Sequence, residues 1–288
     1  MMAEVARTDA MSAMRRRLCP IGGTAMRGLL AAAVLLALAA AAPAQTHAGA
    51  ENNEIGARRA AETRSFTDAQ IIDGFFKVTF GAEFHTAGRI DRIRKFDVPV
   101  RAYIDNRGGP DRSGAIGQVV ADIGRHIDRL DIAVTGDRRI ANLVITLVRD
   151  RDLDRTIAGL FGRERAHRIE TALEPQCLSG FRKDETYRIT RAEVILVVDA
   201  GDFIFYDCAY EEILQSLGPI NDDESVPWTM FNDNVQMGFF DVYDQYLLNL
   251  LYHPRMRPGM SREDARAVVG EIMPEVRAFV ARTNGLKE

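Results

Sequence analysis

The sequence predicts an α+β domain, a small mixed sheet packed with helices and followed by a helical C-terminal half. Three observations carry that prediction. Two apolar, β-branched runs, "ANLVITLVRD" and "ITRAEVILVVDAG", read as buried strands. Segments with apolar residues at helical spacing stand before, between and after them. From residue 202 onward the pattern is helix, loop, helix, turn, helix.

Each element has local grounds. Thr67 precedes "DAQIIDGFFKVTFG" and can cap it as a helix. "KFDVPVRAYID" alternates, and its Pro99 points to an edge or irregular strand because proline brings no N–H to a ladder. "RSGAIGQVVADIGRHIDRL" reads as a helix burying Ile116, Val119, Val120, Ile123 and Ile127. "RDLDRTIAGLF" starts a short helix behind an aspartate cap. Residues 162–188 are a polar excursion. "DFIFYDCAYEEILQSLG" then follows the strongest strand directly, as a helix from about Asp202 to a glycine C-cap at Gly218. The loop "NDDESVPWTMFND", the helix "DVYDQYLLNLLYH", the turn "PRMRPG" and a last amphipathic helix opened by Ser261, with Asp264 three residues on, complete the chain. No repeat or linker divides it, so residues 65–288 read as a single domain.

The N-terminus is of another kind. Arg15, Arg16, Arg17 and Arg27 precede an apolar run over residues 28–42 that ends at Ala42-Pro43-Ala44. Basic flank, short apolar core and A-x-A site predict a Sec-type signal peptide over residues 1–44, cleaved near Ala44, and hence a periplasmic or secreted protein. An uncleaved anchor and a twin-arginine signal are the alternatives, with Met26 a second candidate start; the first would be the chain's only tie to a membrane. Cys19 precedes the apolar core, where a lipid-anchored cysteine would not stand. Residues 45–64 lack periodicity and are expected to form a flexible leader.

Charge excludes one class of partner. The net charge is −4 for the whole chain and becomes −7 once the five arginines and two acidic residues of positions 1–44 are removed. No basic stripe is left for phosphates, so nucleic acid is not an expected partner.

Cys177 and Cys208 remain after cleavage. In an exported protein such a pair reads as a disulfide, which would tie the segment "EPQCLSGF" to the helix carrying Glu211; two separate buried thiols are the other reading.

"YEEILQSLGPIND" keeps the frame of H-E-x-x-H-x-x-G-x-x-H, in which a helix presents two imidazoles and a catalytic carboxylate and a glycine turn delivers a third imidazole. Glu211, Gln215 and Asn221 stand at the three ligand positions, Glu212 at the general base and Gly218 at the turn. Positions 211 and 215 share a helix face. With "MFND" and "DVYDQYLLNLLYHPRMRPGMS" further on, this stretch resembles the proteobacterial domain of unknown function 2927 family, some of whose members are described as candidate lipoproteins. The same blocks are similar to the C-terminal half of metzincin-type peptidases. That resemblance implies a zincin-like fold, with Thr229-Met230 in the turn beneath the metal site.

The chemistry departs from the implied family. Zinc prefers imidazole or thiolate, and a Glu/Gln/Asn set is a poor zinc site. No cofactor is therefore expected; the alternative is a divalent cation, calcium or zinc, with Asp222, Asp223 and Glu224 near by. Without a Lewis acid Glu212 supplies little hydrolytic power. The expected function is non-catalytic binding of a peptide or protein in the cell envelope. A metal-dependent hydrolase with Glu212 as base is the alternative. Scattered His85, His126, His167 and His253 form no ligand pair, Ser179 and Ser216 lack a nucleophile elbow, and "GGPDRSGAIG" lacks the P-loop lysine. Phe203, Phe205, Tyr206 and Tyr210 read as core, while Trp228 in its polar loop is a candidate contact residue.

Overall fold

The computed structural model describes residues 52–81, 91–164, 166–167, 176–219 and 221–287, so the signal segment and His85 lie outside the described residues. At its centre is a five-stranded sheet in the order β2-β1-β3-β5-β4. The strands are β1 (Val100–Asn106), β2 (Ile132–Val134), β3 (Leu143–Val148), β4 (Cys177–Lys183) and β5 (Ile189–Val197). Four of them run parallel, and β4 alone lies antiparallel to β5 at the edge. The helices are α1 (Asn53–Ala61), α2 (Asp68–Thr79), α3 (Ser113–His126), α4 (Leu153–Phe161), α5 (Asp202–Ser216), α6 (Val242–Tyr252) and α7 (Arg262–Asn284). This is the mixed α+β architecture with a helical C-terminal half that the sequence predicts.

Strand periodicity divides β5 between two layers. Ile195 and Val197 join Leu153, Ile157 and Leu178 in a small cluster under α4. Val194, Leu196 and Val198 enter the main core with α3, α5 and α6. All six residues of β3 are buried, as a parallel strand covered on both faces requires. Thr67 and Gln70 form a reciprocal capping box on α2, and Ser261 and Asp264 form one on α7.

Several expectations need correction. Residues 53–61 of the supposed leader form α1: Asn52 caps it through the Glu54 N–H, and Ile55 is buried against Gly238. Its arginines flatten over aromatic rings, Arg58 on Phe203 and Arg59 on Phe239, so the helix is held by tertiary contacts that periodicity does not register. β1 is no edge strand. Pro99 lies just before it and outside the ladder, so β1 pairs on both sides. β4 falls inside the polar excursion, and β2 had no sequence signal; both are half-exposed and poor in β-branched residues or very short. Asp152 stands at the N-cap of α4 but makes no side-chain capping bond, its carboxylate binding Arg155 instead.

Candidate functional site

The loop after β5 turns through Gly201, whose φ of 105° favours glycine, and α5 begins at Asp202. The disulfide Cys177–Cys208 fastens the start of β4 to the helix one turn before Glu211. Closing a loop of 31 residues stabilises the fold by about 3 to 4 kcal/mol in the chain-entropy picture. At its other end α5 stops at the C-cap Leu217, and Gly218 follows with φ 142°. A Cβ at Gly218 would collide with the Arg94 carbonyl, so the turn needs glycine for close approach as well as for conformation. β5, the disulfide and this turn fix where the helix points residues 211 and 215.

These two residues do share a point in space, but their third companion is not Asn221. One carboxylate oxygen each from Glu211, Asp222 and Asp233 lie within 4.8 Å of one another. Gln215 braces the group: its Nε2 donates to Asp222 Oδ1 (2.8 Å), and its Oε1 accepts from Ser179 Oγ of β4 (3.3 Å). Asn221 turns away, donating from Nδ2 to the Lys77 carbonyl (2.9 Å) at the end of α2. Its backbone N–H also reaches Val78, which ties the residue to α2 and swings Asp222 into the cleft. Glu211, Asp222 and Asp233 thus stand together with Gln215 bound to Asp222, while Asn221 is bonded to the end of α2.

The electrostatics of this group are uniform in sign. Burial, and after it Glu212, Asp222, Asp207 and Asp233, push Glu211 well above the ordinary carboxylate range. Burial and Asp233 push Asp222 up to about 7, against the opposing hydrogen bond from Gln215. Asp207 is raised by burial too, although the Met237 and Gly238 N–H groups bind its carboxylate.

Other predicted positions fall elsewhere. Glu212 is buried, only 7% exposed, and close enough to Glu211 to raise its pKa. Asp223 accepts from Ser225 and shapes the loop, and Glu224 is exposed. Thr229 and Met230 are buried, with the Thr229 hydroxyl and the Met230 N–H both bound to Asp244 on α6. Trp228 is half-buried, its ring edge-on to Phe66 (5.6 Å) and tilted against Tyr243 (5.6 Å), which makes it packing more than free contact surface. Phe203, Phe205 and Tyr210 are core, as read. Among the described residues no histidine joins the acidic group. Asp233, which sequence reasoning passed over, comes from the loop between α5 and α6; spacing along one helix carries no signal for it.

β4 forms the wall beside this group. Cys177 and Ser179 turn their side chains to α5, while Leu178 packs under α4 and Gly180 lies against Phe161. The backbone direction follows from register. Ala192 and Val198 donate to the Asn142 and Val148 carbonyls, so even-numbered β5 residues face β3 and odd-numbered ones face β4. Leu178 and Gly180, opposite Ile195 and Glu193, therefore turn their backbone groups inward, and Ser179 turns its own outward. No described backbone group pairs with that outer edge.

The structure thus defines a disulfide-tied α+β domain with an acidic group beside an edge strand and on the helix that follows the central sheet. The chain belongs to the family described as protein of unknown function (DUF2927), whose pattern matches residues 68–271. No curated protein and no solved structure matches it.

Proposed function

We propose that the protein is a non-catalytic binding protein of the cell envelope, with a degenerate zincin-like scaffold whose cleft takes an extended peptide segment. One observation carries the reading: the outward backbone groups of β4 run alongside the acidic group of α5 and its following loop. An extended chain laid against such an edge gains main-chain hydrogen bonds, and its alternate side chains point at the cleft floor. Strand, helix and strand followed by an edge strand is the order the zincin resemblance implies; here the edge strand β4 is followed by β5 before the motif helix begins. The export signal read over residues 1–44 supports the envelope as location.

The test uses protein comprising residues 45–288 and a displayed library of random peptides. Selected peptides should bind wild type and Ser179→Ala alike. Ser179→Pro removes the outward N–H at the middle of β4 and should weaken binding about tenfold or more, with an unchanged far-UV CD spectrum. Equal binding to both variants, or no selectable peptide, overturns the reading.

A further inference from the structure

Lys95 is only 5% exposed, and among the described residues no carboxylate pairs with it. Its Nζ donates to the Leu251 and His253 carbonyls at the end of α6 (2.9 and 3.3 Å), where a cation suits the helix dipole. Those bonds use two of the three N–H groups of the ammonium. Burial pushes its pKa down to about 8, against the pull of Asp97, so the charge is held without enough counter-charge.

Lys95 also lines a cavity of about 1040 Å³, between the chain that leads into β1, the turn after α6 and the start of α7. Backbone pairs fix its walls: Gly259 donates to Ile93, Ile93 to Met260, and Ile189 to Lys95, each at 2.9 Å. Small-molecule sites are preformed in this way, apolar with a few placed polar groups. Phe96, Leu130, Tyr252, Met256, Met260 and Val268 supply the apolar lining. The acids of the lining are already engaged. Asp97 accepts from Arg188 (3.0 Å), Asp131 from both arms of Arg101 (2.8 and 3.0 Å), and Asp264 from the Ser261 N–H and hydroxyl (3.0 and 2.6 Å). Arg129 is bound to Asp128 (3.2 Å). Arg257, exposed on the turn, is paired with no carboxylate among the described residues.

We propose that this cavity binds a water-borne amphiphile with a single carboxylate head, its apolar body on Phe96, Met256, Met260 and Val268 and its head held by Arg257 and Lys95. Charge decides the class of ligand. Two cations that lack an anion beside an apolar lining favour an anionic head, whereas a cationic amphiphile of the same length meets repulsion. A walled cavity takes one molecule, unlike adsorption to a lipid surface, which relies on a cluster of unpaired surface cations.

Calorimetric titration of protein comprising residues 45–288 with sodium decanoate tests this. Wild type should bind one decanoate, with decyltrimethylammonium, the same chain under a cationic head, at least about tenfold weaker. Arg257→Ala, at an exposed position where folding is not at stake, should weaken decanoate about tenfold or more. Ala267→Trp, also exposed, crowds the cavity from α7 and should weaken it likewise. Lys95→Gln removes the buried charge and keeps N–H donors for the end of α6; it should weaken decanoate as much, and if it fails to fold, Arg257→Ala decides. No decanoate binding in wild type, equal affinity for the cationic amphiphile, unchanged affinity in Arg257→Ala or Ala267→Trp, or binding only to phosphatidylglycerol vesicles overturns the site. The cavity shares no lining residue with β4 or the acidic group, so these outcomes and those of the peptide test are independent.

Discussion

Two acidic groups lie within this domain, and they are satisfied in opposite ways. At the start of α6, Asp241 Oδ1 accepts the Tyr243 and Asp244 N–H groups, and Asp244 accepts the Thr229 hydroxyl (2.5 Å) and the Met230 N–H (2.8 Å). Glu62 joins them by accepting the Val242 N–H (2.6 Å). All three carboxyl groups are buried, yet each meets donors from a helix N-terminus or a turn, where the peptide dipoles favour negative charge. Among the described residues, the carboxylates of Glu211 and Asp233 at α5 meet no such donor, and Asp222 accepts from the Gln215 amide. The lesson is that burial of acid alone does not mark a site. A group whose oxygens are already bound is a fastening; one whose oxygens converge on each other is open to a ligand.

Breaking the fastening should have the largest effect. Asp244→Ala strips the Thr229 hydroxyl and the Met230 N–H of their acceptor in a fully buried place, and a stranded buried donor costs about 1 to 3 kcal/mol. Urea unfolding should show a loss of about 2 to 6 kcal/mol for the two together. A loss under about 1 kcal/mol would mean that the turn relaxes onto water and that this group fastens nothing.

A pH series sharpens the same point. Burial and the neighbouring Asp244 push Asp241 well above the ordinary range, and burial pushes Asp244 up to about 6. The Oδ2 of Asp241 accepts from no donor, as befits the oxygen that holds the proton between the pair. Raised folded-state values mean that the native state binds more protons than the unfolded chain. The stabilisation is fully present below about pH 4, where both states are protonated, and is lost as pH rises through about 6 for Asp244 and further up for Asp241. Asp241→Asn keeps the Oδ1 cap and offers an amide N–H where the shared proton was. Its unfolding free energy, followed from pH 4.5 to 8, should therefore fall less with rising pH than that of wild type. Parallel curves would show that the pair does not share a proton.

The sequence made one of these groups far more legible than the other, and the reason is geometric. Helical periodicity places Glu211 and Gln215 on one face, and the A-type spacing of a known motif pointed to residue 221 as third member. In the structure Asp222 and not Asn221 stands beside Glu211, because Asn221 satisfies the end of α2 through Lys77, a contact across 144 positions that no local pattern encodes. Asp233 enters by a loop closure of the same non-local kind. The central strands β3 and β5 were plain because burial on both faces imposes unbroken apolar runs. β4 was not, since an edge strand that lines a cleft carries Ser179 and Gly180 where a core strand carries valine. The disulfide was legible from compartment and cysteine count, and the capping boxes from three-residue spacing.

The smallest expected effect is the one that tells most about the open group. Glu211→Gln keeps shape and removes a carboxylate crowded by Glu212, Asp222, Asp207 and Asp233, so its unfolding free energy in urea should stay within about 0.5 kcal/mol of wild type. A loss above about 2 kcal/mol for Glu211→Gln would make Glu211 a structural partner like Asp244, and the difference between the two acidic groups would vanish.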